Sequence, residues 1–105
     1  MKDKLLKIIE HYGVMNQLKY FQSEVFELNE AIIRDEEDCD WGMGNKELVE
    51  FNKNNIEEEI ADVLVMLKQF QLYYGIDSEQ IKKIMNEKID RQLDRMEKEI
   101  WQTKK

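Results

Sequence analysis

Residues 17–32 read QLKYFQSEVFELNEAI. Leu18, Phe21, Val25, Leu28 and Ile32 step by threes and fours, which on a helix of about 3.6 residues per turn makes one apolar stripe. The alternation that a half-buried strand needs is absent. A helix is therefore predicted from about Met15 to Arg34. Further along, EEEIADVLVMLKQFQLYYGID, residues 57–77, repeats the pattern. With the preceding Ile56 the stripe there is Ile60, Val63, Leu67, Phe70 and Tyr74. Asn55 followed three places later by Glu58 has the form of a capping box, and Gly75 that of a helix stop.

Outward from this pair, Leu5, Leu6, Ile8, Ile9 and Tyr12 form a short first helix that ends at Gly13. After Gly75, Asp77–Ser78 opens a last helix bearing Ile81, Met85, Ile89, Leu93, Met96 and Ile100. Residues 35–54 break the apolar period and read as a long connection, within which Asn45 can cap a short helical piece. The fold class expected is all-α: one domain over residues 1–105, a bundle of about four helices with the two central ones antiparallel. A chain of 105 residues buries only about two-thirds of its surface. Completion of the bundle by a homodimer or homotetramer is expected on that ground.

Proline is absent and 37% of residues are charged, a composition that favours helices. The formal charge of −7, from 16 basic and 23 acidic side chains, sets a field that repels nucleic acid and anionic membranes. A polyphosphate ligand would need that sign reversed locally, which cations held by clustered carboxylates can do. Cys39 is the one cysteine, so a disulfide or a multi-cysteine zinc site within the chain is excluded. No stretch has the length of a membrane span or the apolar core of a signal peptide. The expectation is a cytoplasmic protein with neither membrane nor nucleic-acid partners.

Chemistry is suggested by a repeated spacing. Glu24 and Glu27 lie three apart on the first of the two central helices, and Glu59 and Asp62 lie three apart on the second. At about 100° per residue each pair flanks its helix's apolar stripe. Packing the stripes together can bring both pairs to one edge of the seam. Such a cluster of hard oxygen ligands suits Mg²⁺, with Mn²⁺ as the alternative. The competing reading is solvated surface charge, since a chain this acidic makes such spacings by chance. Di-iron chemistry is excluded, because the only histidine, His11, does not complete a Glu-x-x-His motif.

These two helices, together with IKKIMNEKIDRQLDRM at residues 81–96, resemble the MazG-like all-α nucleoside triphosphate pyrophosphohydrolases, whose pattern is Glu-x-x-Glu followed by Glu-x-x-Asp. The resemblance implies that Glu24, Glu27, Glu59 and Asp62 hold Mg²⁺. It also implies a nucleoside triphosphate substrate, cleaved to the monophosphate and pyrophosphate. Glu27 or the neighbouring Glu58 would then orient or deprotonate the attacking water. The connection between the acid pairs is longer than in the commonest members.

Lys88, Arg91 and Arg95 form one cationic ridge on the last helix, matching the basic C-terminal helix of that family. They are the candidate phosphate contacts, against a plainer reading as a solvated, ion-paired face. Tyr73 and Trp41 are candidates for base stacking, against core packing. A non-catalytic helical interaction protein, with its acids as surface charge, is the competing function.

Overall fold

The computed structural model describes residues 1–40 and 46–103. Among these the chain forms four α-helices and no strand: α1 (Lys2–Tyr12), α2 (Val14–Asp40), α3 (Lys46–Tyr73) and α4 (Ser78–Thr103). They divide into two compact units, Met1–Tyr74 and Gly75–Lys105. No helix among the described residues is long and apolar enough to cross a membrane.

In the first unit α2 and α3 run antiparallel, and hydrogen bonds at both ends of the seam define their register. Near the start of α2, Gln17 Nε2 donates to Oε1 of Gln69, near the end of α3, at 2.8 Å. At the opposite end, Asn52 Nδ2 donates to Asp38 Oδ2 at 2.9 Å. Between them Phe21 meets Phe70 edge to face, with centroids 5.7 Å apart, a favoured aromatic geometry. Helix α1 packs on both through its buried Leu5 and Ile9.

The central helices are longer than the apolar periodicity predicts. Residues 35–40 and 46–54, expected as a connection, continue α2 and begin α3. The apolar period fades there because the seam itself turns polar, with Asp38 facing Asn52, and not because the helix ends. Asn55 consequently sits inside α3 rather than capping it. Asn45 and Trp41 lie outside the described residues.

Each central helix is also rolled relative to expectation. The buried line on α2 is Gln17, Glu24 and Ala31, and that on α3 is Asn52, Glu59 (half-buried) and Met66. Each steps by seven, and Phe21, Leu28 and Ile56, Val63, Phe70 interleave with them, half-buried. This alternation of three and four is the heptad spacing, close enough to the helical repeat to hold one line against its partner over a few turns. Val25, Ile32 and Ile60, predicted to be inward, are instead exposed by 41%, 44% and 42%, whereas Glu24 is exposed by only 7%. Glu24 and Glu59 thus occupy the seam, while Glu27 and Asp62, both exposed, flank it.

Glycine sets the two breaks. Gly75, at φ 64°, follows the end of α3, the left-handed conformation that commonly stops a helix. In the second unit Asp77 then caps α4: its carboxylate accepts from the Glu79 N–H at 3.4 Å and its carbonyl from the Ile81 N–H at 3.2 Å. Gly13 joins α1 to α2 at φ 86°, ψ 150°, a region that side chains strongly disfavour. A Cβ there would meet nothing within 4 Å, so the penalty of substitution is conformational alone. Gly13→Ala should destabilise the protein by about 1–3 kcal/mol, read as a lowered urea midpoint at unchanged slope. An unchanged midpoint would show that the α1–α2 junction does not require this backbone.

Candidate metal centre

The seam's register brings the two acid pairs together midway between the Gln17–Gln69 and Asp38–Asn52 bonds. Glu24, Glu27 and Glu59 each offer a carboxylate oxygen, all within 4.8 Å of one another. Glu24 is buried, Glu59 half-buried and Glu27 exposed, so the group runs from the seam's interior to its rim. Asp62 adjoins it through Glu24, whose carboxyl it approaches within hydrogen-bonding reach, and Glu27 and Glu59 are paired likewise across the seam.

Burial is the largest effect raising the Glu24 carboxyl above its ordinary value of 4.5, followed by the charges of Glu27, Asp62 and Glu59. Glu59 is raised by the same order of causes: burial first, then Glu27 and Asp62, with Glu58 a smaller contributor. Carboxyl–carboxyl hydrogen bonds exist only while one partner keeps its proton. With both ionised, Oε2 of Glu24 and Oε2 of Glu59 are buried without any hydrogen-bond partner. A buried unsatisfied carboxylate oxygen is costly, and two of them converge here. A proton or a cation relieves both.

The donor set fits a hard divalent cation. It consists of carboxylates alone, with no histidine or thiolate, the chemistry preferred by Mg²⁺ and Mn²⁺ over softer metals. Glu24, Glu27 and Glu59 are the residues that would hold it, with Asp62 beside them. Glu58 is exposed on α3 next to Glu59 and outside this group. Glu57, also exposed, forms an i,i+4 ion pair with Lys53 at 4.0 Å.

Tyr73 packs edge to face on Tyr74, centroids 5.1 Å apart, and is exposed by 48%. Lys88, Arg91 and Arg95 are carried by α4 in the second unit. Conversely, sequence reasoning passed over Gln17, Asn52 and Gln69, although the steps of seven from Gln17 to Glu24, from Asn52 to Glu59 and from Asp62 to Gln69 place all three on the acids' own lines.

Comparison of the chain with models of known protein families, with curated proteins and with solved structures finds no match.

The raised carboxyls have a signed consequence for stability. Between 4.5 and their elevated folded values, the folded state holds protons that the unfolded chain has released. Their contribution is therefore complete below 4.5 and is lost as pH rises through the folded values. Metal-free protein should lose melting temperature towards neutral pH, and a Glu24→Gln/Glu59→Gln double variant should lose less. Parallel pH profiles for the two proteins would show that the carboxyls are not raised.

Proposed function

We propose that the protein is an Mg²⁺-dependent nucleoside triphosphate pyrophosphohydrolase of the MazG-like kind. The observation that carries the reading is the Glu24 carboxylate. It is buried in a helix seam, with an unpartnered oxygen turned towards two further glutamates. Protein stability gains nothing from such an arrangement, and cation binding gives it a purpose. The four-acid pattern adds the resemblance to a family that performs this reaction.

In this reading Glu24 and Glu59 hold the cation from within the seam and Glu27 from its rim, with the exposed Asp62 beside them, and their rigid helices keep the carboxylates in place before substrate arrives. A bound Mg²⁺ would supply neutralisation of phosphate charge and acidification of water. Glu27 is exposed at the rim, where an incoming water is reachable, and is the candidate to orient that water or accept its proton. Glu58, exposed beside Glu59 on α3, is the second candidate.

Hydrolysis should release pyrophosphate and the nucleoside monophosphate in an Mg²⁺-dependent assay over the common ribo- and deoxyribonucleoside triphosphates. Glu59→Gln should lower Mg²⁺ affinity and turnover by about tenfold or more, while the metal-free protein melts no lower than wild type, because a repelling charge has gone. Glu57→Gln, remote from the cluster, should change neither. Unaltered Mg²⁺ binding in Glu59→Gln would dismiss the site, and release of orthophosphate instead of pyrophosphate would dismiss the reaction.

The same proposal includes self-association. Val25, Ile32, Ile60 and Leu67 leave an apolar strip open on α2 and α3, a surface that monomers seldom leave bare. A second copy of the chain is its proposed occupant. Sedimentation at micromolar concentration should show a species heavier than the 12.8 kDa protomer, and Val25→Glu/Ile60→Glu should return it to that mass. A wild-type protein that sediments only as protomer would reject the assembly.

A further inference from the structure

A cavity of about 530 Å³ opens beside the acid cluster, between α1, α2 and α3. Its volume lies in the range of small-molecule sites. Glu24 and Asp62 form one wall, so the cavity and the cluster share two residues. Away from that wall the lining changes character. Tyr12 of α1 and Tyr20 of α2 present their rings, exposed by 56% and 59%. Ile8, Val65 and Met66 supply apolar surface, and Asn16, Gln17 and Gln69 supply carboxamides. No lysine or arginine is among the lining residues.

The polarity of this cavity is directional. Among the described residues that line it, the charged groups are the two acids at one end, and the opposite end is aromatic, apolar and amide-bearing. A ligand that fills it must be neutral and flat where it meets the tyrosines. At the acids it must carry a group compatible with cation-loaded carboxylates. A nucleotide has this distribution: a neutral aromatic base at one end and phosphates at the other. Tyrosine rings stack on bases, and carboxamides match the paired donor and acceptor edges that bases present. All three amides are partly committed already: Gln17 Nε2 donates to Gln69 Oε1 at 2.8 Å, Gln69 Nε2 to Met66 Sδ at 3.7 Å, and Asn16 Nδ2 to the Tyr12 carbonyl at 2.8 Å. The last of these leaves the Asn16 Oδ1 as an acceptor.

We propose that this cavity is the nucleoside pocket, with the base held by Tyr12, Tyr20 and Asn16 and the phosphate chain directed past Glu24 and Asp62. Resting on the pyrophosphohydrolase reading, this assignment gives base selection to the α1–α2 junction. It replaces Tyr73, which does not line the cavity, as the stacking residue.

The test compares ligands that share phosphates and differ in the base. In the presence of Mg²⁺, calorimetric titrations would use α,β-methylene analogues of the four common ribonucleoside triphosphates and, in parallel, inorganic tripolyphosphate. At least one nucleotide analogue should bind about tenfold tighter than tripolyphosphate, and Tyr20→Ala and Asn16→Ala should each reduce that margin severalfold while tripolyphosphate and Mg²⁺ affinities hold. Those unchanged affinities also report that the variants are folded. If nucleotides and tripolyphosphate bind equally well, or if the margin survives both substitutions, the pocket is overturned and the metal-dependent reading stands. If Mg²⁺ itself fails to bind, both fall together.

Discussion

Mutual repulsion among carboxylates in the α2–α3 seam is the constraint around which the first unit is organised. Two like charges 4 Å apart cost on the order of 4 kcal/mol at an effective dielectric of about 20, and here burial adds to the repulsion. A helix pair selected only for stability would turn these residues outward and bury Val25, Ile32 and Ile60 instead. The observed pair does the reverse. Stability is given up at the cluster and must be recovered from Phe21 and Phe70, from the α1 contacts and from the amide bonds at either end. Such local sacrifice of stability is the usual physical mark of a site kept for function.

Much of the architecture was legible in the sequence because it depends on local rules. The steps of three and four predicted α2 and α3, the glycines at 13 and 75 marked their junctions, and Asp77 announced α4. Antiparallel packing of the central helices followed from their apolar stripes. The roll of those helices was not legible, because ranking residues by hydrophobicity assigns Glu24 to the rim and Val25 to the core. The same ranking erased the ends of α2 and the start of α3, where Asp38 and Asn52 satisfy each other across the seam. A pattern of polar residues every seven positions was the available signal, and hydropathy does not weigh it.

The candidate site divides in the same way. Glu24, Glu27 and Glu59 converge as their spacing suggested, with Asp62 alongside, because the register of the two antiparallel helices sets the matching i,i+3 pairs level and their roll turns both pairs to one side. Tyr12, Tyr20 and Asn16 could not be placed beforehand. Their position depends on the angle at which α1 meets α2, which a single glycine conformation sets and no periodicity encodes.

The two amide bonds bracketing the acids also act as a vernier. A slide of α3 along α2 by one heptad would keep a seven-residue polar line against another, at the loss of the Phe21–Phe70 contact. It would also set Gln69 and Asn52 against the wrong partners and leave buried amides unmatched, a penalty of about 1–3 kcal/mol for each. Alignment is thus enforced by groups outside the carboxylate cluster. The glutamates need no attraction of their own to find one another: they are delivered to a common address by neighbours with the opposite task, which is to be fully satisfied.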